Sequence, residues 1–349
     1  MTDPATDPET DQPETWLAAI DATMAGLEIG PLDKPRFAKS AYRVRYVDHA
    51  SRDDLVAKYA ADEAMRGHLD DIVDVDFVWS GETTLASAVG EAAPFQWVFA
   101  SHVMEHAPDL IGWMREIGDV LVDGGLLCLA VPDKRLCFDV NRGLTEIGDL
   151  VDAHLRGLRA PGYRQIYDFH SKIVEVDAAA LWAGTADYSG QWRQDLDPDQ
   201  WAYEQCLSHR DTGEYIDGHC QVFTPASFLE VYARLVALDL IDYRIATFVP
   251  SAVGTIEFRV VLEKLPATLV GDERRAAQLA SIPTFVDTVP APPPAQPGAA
   301  PRSSPTFFVV TPREETLIRS KRRAIEATRR VTTGVSRRLR KVAGSEPER

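Results

Sequence analysis

Four hydrophobic segments, each followed by a polar or glycine-containing turn, constrain the fold of this chain more than any other feature. In chain order they are GLEIGPLDKP (26–35), YRVRYVDHA (42–50), FQWVFASHVMEHAPD (95–109) and VDGGLLCLAVPDKR (122–135). An open parallel sheet presents its ligand-binding loops in this way, at the carboxyl ends of its strands. The pattern therefore predicts a cofactor site along one edge of such a sheet.

Seven segments have the character of β-strands, and helical periodicity separates most of them. They lie near residues 26–29, 43–47, 72–78, 97–100, 126–131, 243–248 and 257–262. Alternating strands and helices predict a doubly wound α/β sheet. Since only the loop 249–255 separates the last two strands, these are predicted to pair as an antiparallel hairpin.

The charge of the chain is divided between an acidic body and a basic tail. The 349 residues carry a net charge of −16, but residues 313–341 hold eleven Lys or Arg and three Glu, which leaves about −24 on the rest. An acidic body argues against a nucleic-acid substrate. The tail also carries spaced apolar residues, which predicts a basic, partly amphipathic helix that contacts an anionic membrane surface or, alternatively, folds back on the body.

The cysteines and the N-terminus indicate where the protein resides. The four cysteines show no CxxC spacing, the first fifteen residues are acidic without an apolar core, and no apolar run approaches the length of a membrane span. We expect a cytoplasmic protein, with peripheral contact at the inner face of the membrane if the tail binds lipid.

Taken together, the four segments resemble a class I S-adenosylmethionine (SAM) dependent methyltransferase. More closely, LEIGPLDKP, ASHVMEH, VPDKR and EYIDGHCQVFTPASFLE look like a bacterial methyltransferase group associated with glycan or cell-surface polysaccharide gene clusters and with glycosyltransferases. The resemblance extends over about residues 26–264. It implies a Rossmann-like fold, with a mostly parallel sheet, a C-terminal antiparallel hairpin and an inserted cap.

Six segments follow from this organisation. They are a disordered acidic lead (1–14), a SAM-binding core (15–137), an inserted acceptor-binding cap (138–222), the C-terminal part of the core (223–265), a Pro-rich linker (266–312) and the basic tail (313–349). The cap is rich in Trp, Tyr, His and Asp.

The resemblance assigns the first motif of the cofactor site to Glu28 and Gly30, with Pro31 stiffening the turn. The later glycine positions of the general pattern hold Leu32 and Lys34 here, which is a departure from it. An ordinary strand-to-loop turn is the alternative for this segment.

Further cofactor ligands are predicted at the ends of the next three strands. Asp48 would accept hydrogen bonds from both ribose hydroxyls. Asp76 and Phe77 are placed at the end of the third strand, where they suit the adenine amino group and ring face, although Phe77 could also be a core residue. Ser101 and His102 close the fourth strand.

The end of the fourth strand also offers candidate metal ligands. His102 and His106 are four residues apart and could bind a metal from one helix face. The sequence offers no evident third ligand, and Glu105 can simply orient His106, so no metal is predicted.

Methyl transfer is an in-line displacement, and a hydroxyl acceptor must also lose its proton. The cap supplies candidate bases in His219, with Asp217 to orient it, and then in His170. Residues 217 and 219 would share a face if the segment were extended. The alternative for each histidine is packing at a domain seam. Beyond the fifth strand, Lys134 and Arg135 could contact an anionic acceptor or lie on a solvated edge.

These observations predict a SAM-dependent methyltransferase that O-methylates a sugar or related small hydroxylated acceptor in glycan biosynthesis. The alternative is a non-catalytic scaffold with the same fold that partners a glycosyltransferase, and Leu32 and Lys34 favour it. A dehydrogenase would need a GxGxxG turn, which is absent.

Overall fold

The computed structural model describes residues 15–62, 65, 67–186 and 196–289. The predicted acidic lead, the basic tail and the Pro-rich stretch from residue 290 lie outside the described residues. Chain contacts divide the molecule into a unit that runs from Met1 to Pro292 and a second unit from Pro293 to Arg349. All the helices and strands described here lie in the first unit.

Among the described residues, seven strands form one sheet in the order β3-β2-β1-β4-β5-β7-β6. The strands are β1 (Gly26–Ile29), β2 (Val44–Asp48), β3 (Phe77–Val78), β4 (Phe95–Ser101), β5 (Leu121–Pro132), β6 (Tyr243–Val249) and β7 (Glu257–Lys264). Strands β1 to β5 are parallel, and β7 runs antiparallel to both β5 and β6. The doubly wound sheet and the terminal hairpin are therefore confirmed.

Nine α-helices occur in the described residues. They are α1 (Arg52–Tyr59), α2 (Leu85–Val89), α3 (Leu110–Val120), α4 (Ile147–Arg156), α5 (Tyr163–Lys172), α6 (Ala178–Ala183), α7 (Pro198–Thr212), α8 (Pro225–Ala237) and α9 (Gly271–Ala280). Helices α4 to α7 make up most of the insertion (138–222). None of the nine is long and apolar enough to cross a membrane.

The two faces of the sheet are covered in different ways. On one face, α3 and α8 bury apolar residues at helical spacing, such as Leu110, Met114 and Ile117 of α3. On the other face, aromatic side chains that include Trp16, Phe37 and Trp97 form a smaller core. Both faces are thus closed, and the carboxyl edge of the parallel strands is left for ligands.

Two predicted boundaries differ from the structure. Strand β3 has only two residues instead of the predicted 72–78. Residues 266–289, predicted as the start of the linker, include α9, whose buried Gln278 donates hydrogen bonds to the carbonyls of Ile241 and Tyr243. Because these bonds satisfy buried polar groups, α9 belongs to the folded body.

The insertion is anchored across the carboxyl edge through its last residues. The backbone N–H groups of Cys220 and Gln221 donate to the carbonyl of Glu105, at 2.6 and 2.9 Å. The Gln221 side chain also donates to the carbonyl of Ala107 at 3.0 Å. Residues that follow β4 are therefore held against residues 219–221, which are distant in sequence.

Candidate functional site

The turn after β1 approaches its neighbours closely. Gly30 has a φ of +67°, and a Cβ added there would lie 2.9 Å from the Val103 side chain, so only glycine fits without adjustment. Leu32 has a φ of +45°. It thus adopts the left-handed conformation that a glycine would favour, at a cost of order 1 kcal/mol. Pro31 is buried between them.

Glu28 lies beneath this turn rather than in an open cleft. It is 2% exposed, and its two carboxylate oxygens accept hydrogen bonds from the backbone N–H groups of Arg36 and Phe37, at 2.6 and 3.0 Å. Burial raises the pKa of Glu28 to about 7, because lost hydration outweighs these two bonds. The residue therefore shapes the loop that would surround a cofactor.

Asp48 ends β2 at the carboxyl edge, as predicted from the sequence. One of its oxygens lies 2.7 Å from both the backbone nitrogen and the ring Nδ1 of His49. The carboxylate is held in place by this neighbour at the carboxyl edge of the sheet.

Asp76 directly precedes β3, and Phe77 is the first of the two residues of that strand. The Asp76 carboxylate accepts from the backbone of Tyr46 at 2.7 Å and pairs with Lys39 and Arg45, at 2.6 and 3.1 Å. These cations occupy its oxygens before the chain reaches the carboxyl edge. Phe77 packs against the main core.

Trp79 follows β3 and was not singled out from the sequence. It is half-buried against the main core, and its indole N–H is buried without a hydrogen-bond partner among the described residues. Buried indole groups normally donate a hydrogen bond. Trp79 is the aromatic residue that the short β3 leaves at the edge.

Ser101 and His102 lie where β4 ends. Ser101 is half-buried, and His102 has a φ of +54°, a conformation uncommon for a non-glycine residue. Its Nε2 lies 2.6 Å from a carboxylate oxygen of Glu257 on β7. Burial disfavours the imidazolium, but Glu257 and Glu105 outweigh that effect and raise the pKa of His102.

His219 and Asp217 are both at this edge, but they do not form the predicted pair. The Nδ1 of His219 lies 2.5 Å from Asp139, and Asp217 instead lies 2.9 Å from the Nδ1 of His106. The segment is a loop rather than an extended strand. Its backbone at Gly218 runs so close to the Phe169 ring that a Cβ would lie 2.6 Å away. The two side chains therefore diverge.

The sequence did not predict Asp139 as the partner of His219, or His106 as the partner of Asp217. Burial opposes ionisation of Asp139, but hydrogen bonds from His219 and Arg142 outweigh it and hold its pKa below the usual range. Burial likewise opposes protonation of His106, but Asp217 and Glu105 outweigh it and raise its pKa. Asp139 and Arg142, three residues apart, were the only local signal of this network.

His170 lies next to this network and not within it. Its Nδ1 donates to the carbonyl of Ile166 at 2.9 Å, one turn earlier in α5, and its ring packs edge-on against Trp201 of α7 at 4.7 Å. Burial lowers its pKa. This geometry matches the alternative of a histidine packed at a seam between helices.

Lys134 and Arg135 both make contacts within the protein. The Lys134 ammonium donates to the carbonyl of Arg142 at 2.5 Å. Arg135 pairs with Asp133 and Asp287, both at 2.6 Å. The contact of these two cations with an anionic acceptor stays a prediction.

A cleft of about 270 Å³ opens beside the imidazoles of His102 and His219. His102 and His219 contribute its polar side, and the apolar wall includes Leu136, Phe138 and Ile256. A small acceptor in this cleft would meet the imidazoles from the carboxyl edge of β4 and β5.

Comparisons with known proteins agree with this architecture to a limited extent. No protein-family model matches the sequence. Over 112 residues the chain is 32% identical to a ubiquinone biosynthesis O-methyltransferase from Methylocella silvestris, and the aligned part is 32% of this chain and 40% of that protein. The chain thus spans well under half the length of this relative.

Solved structures give weaker likenesses. The CcbJ methyltransferase from Streptomyces caelestis is 15% identical with a TM-score of 0.36, covering 72% of this chain and 88% of that one. A SAM-dependent methyltransferase from Methanosarcina mazei is 16% identical with a TM-score of 0.34, covering 70% and 94%. Scores this low carry no argument of their own, so the fold is assigned from the sheet.

The strand order and the antiparallel β7 give the sheet that the resemblance to class I methyltransferases implies. The glycine turn after β1 and the acidic end of β2 stand at its carboxyl edge. The chain therefore has a Rossmann-like α/β fold, with the mostly parallel sheet and the C-terminal antiparallel hairpin that the resemblance implies.

Proposed function

We propose that this protein is a SAM-dependent methyltransferase that methylates a hydroxyl group of a sugar or related small acceptor. The observation that carries the proposal is the meeting of two features at one sheet edge. The cofactor motifs of β1 and β2 end there, and three imidazole–carboxylate pairs, of which His219–Asp139 is buried, lie there beside the cleft. The sequence likeness to an O-methyltransferase supports the same reaction class.

The residues at the edge suit the two halves of SAM. The turn at Gly30 leaves room for a backbone approach to the methionine and ribose portions, and Asp48 offers a carboxylate to the ribose hydroxyls. Trp79, at the end of β3, takes the adenine role that was predicted for Asp76 and Phe77. SAM supplies an electrophilic methyl group on a sulfonium that is its own leaving group.

Proton removal is the task of the imidazole–carboxylate pairs. Bound SAM would supply the methyl group to the acceptor oxygen, and Nε2 of His219 would accept the proton of that hydroxyl. Asp139 fixes that ring through Nδ1 at 2.5 Å and stabilises the imidazolium that forms. Asp139 thus replaces Asp217 in the orienting role.

A glycan acceptor is supported by the surface of the insertion. In the described part of the insertion, four tyrosines are exposed, namely Tyr163, Tyr167, Tyr203 and Tyr215. Exposed aromatic rings can pack against the apolar face of a sugar while their hydroxyls form hydrogen bonds. Their concentration in the insertion favours this segment as the acceptor-binding cap.

Calorimetric titration with SAM and with S-adenosylhomocysteine tests the cofactor site. We expect binding by the wild-type protein and a loss of at least about tenfold in affinity for Asp48→Ala, which removes a charged hydrogen-bond acceptor. Asp74→Ala is the matched control, because that side chain is 94% exposed on the same side of the sheet as β2. Equal affinity of Asp48→Ala and Asp74→Ala for SAM would show that Asp48 does not bind the cofactor.

The scaffold alternative is favoured by the first turn. Leu32 stands where the general motif has glycine, and the Glu28 carboxylate is already occupied by two backbone groups. If neither SAM nor S-adenosylhomocysteine bound to the folded wild-type protein, the methyltransferase proposal would fail. A non-catalytic partner of a glycosyltransferase would then be the better description.

A further inference from the structure

The carboxylate of Glu105 is in an unusual position. Its side chain is buried, and neither of its oxygens accepts a hydrogen bond from the described residues. Nδ1 of His102 lies 3.7 Å and Nε2 of His219 lies 3.8 Å from one of its oxygens, both beyond hydrogen-bond distance. A buried carboxylate without such partners costs several kcal/mol, so its position calls for a ligand.

Two histidines complete a set of donors around Glu105. The ligand atoms of Glu105, His106 and His219 all lie within 4.8 Å of one another, and the two imidazole rings are 4.8 Å apart and nearly perpendicular. A tetrahedral zinc site has ligand atoms about 3.4 Å apart, as follows from bond lengths near 2.1 Å. The 3.8 Å between Glu105 and His219 is close to that spacing.

Each histidine is also oriented by a carboxylate on its other nitrogen. Asp217 holds Nδ1 of His106 at 2.9 Å, and Asp139 holds Nδ1 of His219 at 2.5 Å. Metal-bound histidines characteristically donate their second N–H to a carboxylate in this way. The arrangement leaves Nε2 of each ring for the centre of the cluster.

The backbone fixes these donors relative to one another. Glu105 and His106 lie in one turn after β4, while His219 comes from the insertion. The carbonyl of Glu105 accepts from the backbone of Cys220 at 2.6 Å, next to His219. The donor set is therefore held by main-chain bonds that do not depend on any ion.

We propose that Glu105, His106 and His219 form a binding site for a divalent first-row transition cation, with Zn²⁺ as the best match. Two imidazole nitrogens and one carboxylate oxygen suit Zn²⁺, whereas Mg²⁺ prefers oxygen ligands throughout. Three protein ligands leave a fourth position open, which is the pattern of a catalytic rather than a structural zinc site. Since His219 lines the cleft, a hydroxyl or water that enters there can reach that position.

The Nε2 lone pair of His219 binds either a cation or a proton, so the base role proposed above belongs to the cation-free protein. The cation site does not depend on methyl transfer, so it is tested without turnover. SAM binding measured on the same samples reports on the proposed function separately.

The experiment uses the full-length protein after EDTA treatment and dialysis. Elemental analysis after incubation with ZnCl₂ and removal of excess metal should find one Zn²⁺ per chain, and titration with CoCl₂ should produce the visible absorption of a four- or five-coordinate Co²⁺. Glu105→Gln and His106→Gln should each abolish retention. Asp139→Asn should weaken the affinity about 10- to 100-fold, since it removes only an orienting group.

His209→Gln is the matched control, because this half-buried histidine of α7 bonds to the carbonyl of Glu214 and lies outside the cluster. It should retain Zn²⁺ as the wild-type protein does. Circular dichroism separates loss of metal from loss of fold, and the wild-type titration stands even if a variant does not fold. Failure of the wild-type protein to retain Zn²⁺ or Co²⁺, retention that survives Glu105→Gln, or a preference for Mg²⁺ would each overturn the proposal.

Discussion

Paired ionisable side chains lie at the carboxyl edge of the sheet, and of these the His219–Asp139 pair is buried. Three imidazoles there each meet a carboxylate within 2.9 Å, and the carboxylates come from β7 and from the insertion. Glu28 differs, because the hydrogen bonds to its carboxylate come from the backbone N–H groups of Arg36 and Phe37. Burial outweighs these two bonds and the positive charge of Arg36, so the pKa of Glu28 is raised.

The stability of the protein should therefore fall as Glu28 ionises. Its pKa is 4.5 in the unfolded chain and about 7 in the folded one. Below this window the carboxyl is neutral in both states, and above it the folded state bears the cost of a buried charge. The free energy of unfolding should drop by roughly 3 kcal/mol between these pH values, at about 1.4 kcal/mol per unit.

Urea unfolding across this pH window, for wild type and Glu28→Gln, measures the effect. The variant should lack the Glu28 part of the slope, although it loses one acceptor for the backbone of Arg36 or Phe37 at every pH. Glu91→Gln, at an exposed position, should leave the slope unchanged. Parallel slopes for all three proteins would contradict the expected ionisation.

One buried ion pair joins several elements at the end of β5. Asp133 is fully buried and accepts from Arg135 at 2.6 and 2.9 Å and from Ser251, in the β6–β7 loop, at 2.9 Å. Arg135 also reaches Asp287, beyond α9. Asp133 thus links the end of β5 to the β6–β7 loop, and the Arg135 guanidinium links it to the chain after α9.

Replacing Arg135 by Met should cost about 3 kcal/mol of stability, because Asp133 would remain buried without its cation. Arg156→Met is the control, since its pair with Asp152 is more than half exposed on both sides and should contribute less than about 0.5 kcal/mol. Chemical unfolding of both variants gives the two values. Similar losses would mean that the buried network does not tie these elements together.

For the whole molecule, the sequence predicted what depends on local patterns and missed what depends on packing. All seven strands were predicted from hydrophobic runs and turn residues, although β3 is shorter than expected. The partners of His219 and His106 could not be predicted from local patterns. The loop at Gly218 packs against Phe169, and Asp217 pairs with His106 rather than with His219. The third metal donor was invisible for the same reason, since only the fold brings His219 to Glu105.

The charge division of the whole chain leads to the last prediction. The basic segment 313–341 lies outside the described residues, and we propose that it binds anionic membrane surfaces, where each Lys or Arg contributes about 1 kcal/mol. Replacing Arg337, Arg338, Arg340 and Lys341 with Gln should weaken co-sedimentation with phosphatidylserine vesicles by roughly 100- to 1000-fold. Four matched changes to Gln on the folded body, at Arg156, Arg164, Lys172 and Arg210, should have little effect. Binding that persists with neutral vesicles, or that does not weaken with added salt, would contradict an electrostatic contact and favour a tail that folds back on the acidic body.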